Sequence, residues 1–333
     1  MRFTTLLASC TLIASLLSGC GDSGNTAKKI HIGLIPKGTN SEYWKAVHAG
    51  GEKAAQELGN VELIYRGALK EDQSDQEIQV VENMLNGQVD AIVLAPNNAD
   101  ALARVTEIAS KSLPVVIIDS AVHTDAYKTF VSTDNKKGGH MGGQELAREL
   151  NNKGRVIMLR YQEGSASTAD REQGFLDAMK EAGAGITIVD AAKYGGVTED
   201  ACQKSAENLL APYKNPDGTL AIDGIFCPNQ TTTFGMLRAL QDIKAAGKVK
   251  FVGFDSSEAL VQALKDKQIN ALVVQDPVNM GYLGVKTAVD LVNGKKDVPR
   301  TIDTGVHLVT QENLDSQESK DILNPPVAKY LKE

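Results

Sequence analysis

The sequence predicts an α/β protein made of two doubly wound parallel-sheet lobes joined by a three-segment hinge. Three observations lead there. Short apolar runs alternate with segments of helical periodicity along the chain. The runs fall into two sets of five. The chain has 333 residues, more than a single hydrophobic core usually organises.

The first set reads "IHIGLIP", "VELIYR", "DAIVLAP", "PVVIID" and "TFVST". These continuous apolar runs suit parallel strands buried on both faces. Amphipathic stretches such as "SEYWKAVHAGGEKAAQELG" and "DQEIQVVENMLNGQ" lie between them. After "NKKGGHMGGQELARELNN" the second set begins: "GRVIMLR", "GITIVDA", "IDGIFCP", "VKFVGFD" and "INALVVQ". A late helix, "PVNMGYLGVKTAVDLVNGK", precedes one last strand around "TIDTGVHLV". Strand-to-helix junctions at "VSTDN" and "VQDPV" place lobe crossovers near residues 132–134 and 274–277, with a third near 304–306. The first lobe then comprises residues 29–132 and 276–304, and the second 133–275 and 305–333. Glycines in "GGHMGG" are expected to allow close backbone packing at a hinge.

The opening "MRFTTLLASCTLIASLLSGC" has one early Arg, a short apolar run and small residues, the form of a secretory signal. Leu17-Ser18-Gly19-Cys20 resembles the bacterial lipobox, which implies a signal peptide over residues 1–19 and lipid on Cys20. The polar stretch at 20–28 reads as a flexible tether. An exported, lipid-anchored protein at the cell envelope is expected. A net charge of −7, with both signs scattered, gives no footprint for nucleic acid. Cys202 and Cys227 read as two buried free thiols, with a disulfide as the alternative an exported location permits.

Ligands bind such sheets at the carboxyl ends of the strands. The residues there include Pro36 to Trp44, Ala95 to Asn98, Asp119, Arg160 to Arg171, Tyr194, Asn229, Asp255 and Gln275. Polar groups of fixed geometry beside a few aromatics make up a sugar site: hydroxyls need bidentate donors and acceptors, and the C–H faces of a ring need flat apolar surface. Only 5% of residues are aromatic, so the adjacent pair Tyr43 and Trp44 stands out.

From residue 29 to about 310 the chain resembles the periplasmic sugar-binding proteins of ABC importers, of the ribose/galactose-binding type. The resemblance rests on "EKAAQELG", "VDAIVLAPNNADAL", "VVIIDS", "STDNKKGG", "TADREQGF" and "VGFDSSE" taken together. It implies a type I periplasmic binding fold, the core shared with lactose-repressor-like regulators, in a lipoprotein form. It implies Tyr43, Trp44 and Tyr194 as aromatics stacked on the sugar, with Ser41 as a polar contact or only a helix cap. Asp119, Arg171, Asn229, Asp255 and Gln275 match the family's other polar ligands. The implied partners are a monosaccharide or related polyol, the permease subunits of an ABC importer, and the membrane through the lipid; the protein is then a monomer without cofactor.

Two departures bear on the ligand. Ser120 stands where the ribose-type pattern has Arg, and Ala95 where it has Asn. These changes leave ribose in doubt and make Lys37, Asn97, Asn98 and Glu163 candidates to fill the space. No enzyme is expected: there is no G-x-G-x-x-G after a strand, no P-loop and no G-x-S-x-G elbow. His31, His48, His123, His140 and His307 are scattered without metal-ligand spacing. The enzyme alternative is a glycosidase using Asp119 and Asp255 as its carboxylate pair. A third class, a sensory module for chemotaxis or a sensor kinase, needs the same lobe closure as transport.

Overall fold

The computed structural model describes residues 28–87 and 89–331. The expected signal peptide and Cys20 therefore lie outside the described residues. The described residues form two six-stranded sheets. The first holds β1 (Ile30–Ile35), β2 (Val61–Tyr65), β3 (Ala91–Leu94), β4 (Val115–Ile118) and β5 (Thr129–Ser132), and gains β11 (Thr301–Asp303) at its edge. Its order is β11-β5-β4-β3-β1-β2, all parallel. The second sheet holds β6 (Gly154–Met158), β7 (Ile186–Asp190), β8 (Gly224–Phe226), β9 (Lys250–Phe254), β10 (Ala271–Gln275) and β12 (Val306–Thr310). Its order, β12-β10-β9-β8-β6-β7, repeats the first, with β12 antiparallel to β10.

Two details of the chain's late part differ from the sequence reading. The stretch "TIDTGVHLV" is not one strand: Gly305, with φ 84°, breaks it, and its halves join different sheets. Nor does all of 305–333 belong with the second sheet. Helix α10 (Gln317–Leu323) packs there, with Leu323 in its core, but α11 (Val327–Tyr330) lies on α1 (Glu42–Leu58) of the first. The Tyr330 carbonyl accepts from Gln56 Nε2 at 3.3 Å. Pro325 and Pro326 between the two helices stop α10 and send the chain across.

Helices cover both faces of each sheet. In the first, α1 and α9 (Pro277–Val292) bury one face, and α2 (Ser74–Asn86) and α3 (Ala103–Ser110) the other. In the second, α4 (Asn135–Glu149) and α5 (Ala166–Glu181) lie on one face. On the opposite face lie α6 (Glu199–Leu210), α7 (Gln230–Asp242) and α8 (Glu258–Lys265). The strands are the apolar runs of the sequence; in β3 and β4 every residue is buried. Side-chain caps start three of the helices that face the space between the sheets: Ser41 for α1, Asn229 for α7 and Ser257 for α8 each accept from a backbone N–H of the first turn.

The glycines of "GGHMGG" serve a helix crossing rather than a hinge. A Cβ on Gly139 of α4 would sit 1.8 Å from the Arg171 carbonyl oxygen of α5, and one on Gly174 of α5 would sit 2.0 Å from the Lys136 oxygen of α4. Only glycine on both helices allows this approach. The crossing fixes the backbone that carries Arg171.

Candidate functional site

The carboxyl ends of both sheets face one shared cavity. Lys37, Ser41, Tyr43, Trp44, Glu71 and Asp119 line it from the first lobe; Tyr161, Ser167, Thr168, Arg171, Asn229, Gln230, Thr231, Asp255 and Gln275 line the rest. About 30 Å3 within it remains open, room for about one water. The polar groups have closed upon one another, so a ring enters only as these pairs are exchanged for contacts with it.

Asp119 follows β4 and Asp255 follows β9, both 5% exposed or less. Asp119 lies 2.6 Å from Lys37 Nζ and accepts from the Tyr43 hydroxyl at 2.9 Å. Asp255 accepts from Gln275 Nε2 at 2.8 Å and from the Gln230 N–H at 3.3 Å, with Arg171 Nη1 3.7 Å away. Burial raises the Asp255 pKa, against the pull of Arg171. Burial also raises the Tyr43 phenol well above its usual value, with the Asp119 charge adding to it.

Arg171 is held on three sides. Its Nε donates to Asn135 Oδ1 at 2.8 Å, its Nη1 donates to the Pro228 carbonyl at 3.0 Å, and its guanidinium lies 4.1 Å from the Phe254 ring centre. A planar fork pinned in this way is preorganised for adjacent hydroxyls. Gln275, 1% exposed, directs its amide at Asp255, while its Oε1 accepts no hydrogen bond.

Trp44 belongs both to the core and to the cavity wall. It is 2% exposed, packs in the first lobe's core and donates from Nε1 to Glu71 at 2.9 Å. Tyr43 stands edge-on to it, with ring centres 5.0 Å apart. Ser41 caps α1 and also lines the cavity. Asn229 does likewise for α7, its Oδ1 accepting from the Thr232 N–H and hydroxyl.

Tyr194 is not brought to the cavity. Its backbone bridges to Arg160, and its ring lies 4.4 Å under that guanidinium, so the side chain is committed elsewhere. Asn97, Asn98 and Glu163 do not line the cavity either. Asn97 is buried behind it, its N–H donating to Glu77 and its Oδ1 accepting from Ser74. Asn98 folds its Oδ1 back onto the N–H groups of Asp100 and Ala101. Lys37 fills the space instead. At 3% exposed it reaches Asp119 and donates to Ser167 Oγ at 3.0 Å. Ser120, in the place of the family's Arg, accepts from the Ser167 N–H at 3.0 Å. Ala95 is fully buried core.

Glu71, Asn135 and Tyr161 were not singled out in the sequence. Asn135 stands in "STDN" and links the arms of the site: it accepts from Arg171 and donates to the Asp119 carbonyl at 3.4 Å. Glu71 comes from the loop after β2, where no periodicity places it. Burial raises its pKa, opposed by Lys37 and the Trp44 hydrogen bond. Tyr161, 1% exposed, follows the end of β6; burial and the Glu71 charge raise its phenol.

Besides the Asn135–Asp119 bond, contacts across the cleft between the lobes include Lys37 with Ser167, Ser120 with Ser167, the Glu71 carbonyl with Gln162 at 3.2 Å, and the Ala99 N–H with the Gly164 carbonyl at 2.9 Å. Cys202 and Cys227 are both buried and free. Among the described residues no His/Cys/Asp/Glu cluster could hold a metal, and no helix is long and apolar enough to cross a membrane.

Comparison with known proteins agrees with this geometry. A family model described as the periplasmic binding protein domain matches residues 32–296. The ribose import binding protein of Bacillus subtilis is 29% identical over 311 residues, 92% of this chain and 95% of that one. A carbohydrate transporter solute binding protein from Agrobacterium radiobacter, solved with D-arabinose, superposes with a TM-score of 0.84 at 34% identity, covering 89% of this chain and 99% of that one. One from Agrobacterium vitis, with bound D-fucose, gives 0.82 at 33% identity and covers 88% and 100%.

Proposed function

The chain belongs to the periplasmic binding protein domain family, and from that premise we propose that it is the solute receptor of an ABC sugar importer, binding a monosaccharide or related polyol between two closing lobes. The observation that carries this reading is the cavity itself. Two buried carboxylates, a pinned guanidinium, an amide and an aromatic pair converge from the carboxyl ends of both sheets. A polyol replaces the self-satisfied pairs: its hydroxyls donate to Asp119 and Asp255 and accept from Arg171, Lys37 and Gln275. Tyr43 and Trp44 supply the apolar wall, and Ser41 and Asn229 the rim. Relatives solved with arabinose and fucose support this ligand class.

Lobe closure then gives the permease a composite surface to read. The lobes are residues 29–132 with 276–304 and 133–275 with 305–324; the tail beyond returns to the first. No turnover is involved, because both carboxylates are occupied in holding the ligand. Residues 1–19 act as the export signal. Lipid on Cys20, with the tether at 20–28, keeps the receptor at the membrane as a monomer.

The test is calorimetric titration with pentoses, hexoses and inositols, using Arg171→Ala as the control. Hydrogen bonds to a charged group contribute about 1.5–3 kcal/mol, so that variant should bind roughly ten- to a hundredfold more weakly. An unchanged affinity would reject Arg171 as a ligand; no binding across the whole panel would reject the sugar reading.

A further inference from the structure

A second and larger space adjoins the cavity. Its volume is about 600 Å3, and it lies between the first turn of α1 and the outer side of α8. The β10–α9 crossover floors it, and the tail from Ile322 to Val327 forms one wall. Tyr43, Asp255 and Gln275 line both spaces, so the groove continues the cavity rather than standing apart from it.

The groove is more apolar than the cavity. Ala46, Val261, Pro277 and Pro325 offer small or flat apolar surfaces, and Lys45, Glu258, Gln262 and Lys265 are polar residues along the same space. Pockets that hold small ligands combine an apolar lining with a few convergent polar groups and are commonly several hundred cubic ångströms. The junction carries a second signal. Gln275 Oε1, on a side chain 1% exposed, has no donor. A buried acceptor left unpaired is costly unless a ligand pairs it.

We infer that the site also takes a sugar joined to a second ring, a disaccharide or a ring-bearing glycoside, with its first ring in the central cavity and its second in this groove. The linkage passes between Tyr43 and Gln275, where a ligand hydroxyl beside the linking oxygen donates to Gln275 Oε1. Tyr43 then presents one part of its ring to each unit. The tail, which crosses between the lobes at Pro325 and Pro326, closes over the second ring. The inference rests on the central cavity being a sugar site.

The experiment titrates the full chain with monosaccharides and with disaccharides and phenyl glycosides of the same sugars. Gln262→Trp and Lys45→Trp, on different helices, fill the groove without touching the cavity, and their melting temperatures report whether they fold. The wild-type chain should bind a ring-bearing glycoside at least as tightly as its parent monosaccharide. Each variant should weaken the glycoside by about tenfold or more and leave the monosaccharide unchanged. Monosaccharide binding with all ring-bearing glycosides excluded overturns the inference while sparing the cavity reading. Glycoside binding that neither variant weakens overturns it too. A chain that binds no sugar of either kind overturns the cavity reading, and the inference falls with it.

Discussion

Asp119 and Asp255 occupy the same place in the two sheets. Each follows the third strand of its sheet order, and each donates its backbone N–H to the neighbouring strand, at Val131 and Val273. Each also has a left-handed backbone, with φ of 62° and 66°. That conformation costs an ordinary side chain about 1–2 kcal/mol, and Asp and Asn bear it most easily after glycine. The turn places both carboxylates at the cavity, so the two halves of the molecule present matching acceptors to one space.

Asp119→Asn and Asp255→Asn should therefore keep the fold and lose affinity. Asn tolerates the left-handed backbone, while the charge that accepts from hydroxyls is gone. A loss of roughly ten- to a hundredfold is expected for each, with circular dichroism unchanged. Calorimetry showing wild-type affinity for both variants would count against the paired-carboxylate site.

These two residues also mark how much was legible in the sequence. An apolar run that ends in Asp announces both a strand and the group at its carboxyl end, so Asp119 and Asp255 could be placed without coordinates. Arg171 and Gln275 were accessible in the same way, through the resemblance. Tyr194 was misplaced because a residue beyond a strand end can turn either way. Its direction is set by a bridge to Arg160, a contact between segments that no local pattern encodes. Glu71 comes from an irregular loop, and Asn135 acts through Arg171 and the Asp119 backbone. The return of the tail to α1 was equally hidden, because a four-residue helix has too little periodicity to show which surface it meets.

Asp255 should make stability depend on pH. Its pKa is raised in the folded state, chiefly by burial. A carboxyl with a raised folded pKa contributes stability that is fully present below its unfolded value and is lost as pH rises through the folded one. Asp255→Asn removes that loss. Its melting temperature relative to wild type should therefore climb as pH rises from 4, then level off. A difference that stays constant across the series would show that Asp255 is no more protonated in the folded chain than in the unfolded one.

Lys37 should matter twice. It is buried against Asp119 and joins the lobes through Ser167. Lys37→Met leaves the Asp119 charge without its cation, a loss of about 3–5 kcal/mol when a buried pair is broken from one side. The double variant Lys37→Met with Asp119→Asn should recover much of that stability while remaining weak for sugar. Urea unfolding of the two variants separates these effects. Equal midpoints for both would mean that the ion pair is not what Lys37 supplies.

Gly139→Ala should disturb the site without touching it. The new methyl group would fall 1.8 Å from the Arg171 carbonyl, and overpacking of this kind costs about 1–3 kcal/mol. The relief available is a separation of α4 from α5, which moves Arg171 off Phe254. Lower stability together with weaker sugar binding is expected, measured by denaturant midpoint and calorimetry. Weaker stability with intact affinity would show that Arg171 is positioned by its own hydrogen bonds rather than by the crossing.

In the proposed function closure joins binding to transport, and the tail bears on it. Three crossovers connect the lobes, at residues 133–134, 276 and 304–305, and the segment 324–326 adds a fourth tie because α10 rests on one lobe and α11 on the other. A ligand that touches both lobes favours the closed form only by its extra contacts there. Small-angle scattering should show a smaller radius of gyration when the correct sugar saturates the chain. Ending the chain at Leu323 removes the tie, so the ligand-free particle should become larger and sugar affinity should fall, since more of the binding energy goes into closing. If the truncated and full chains scatter alike without ligand and bind alike with it, the tail only covers α1, and the three crossovers alone set the opening.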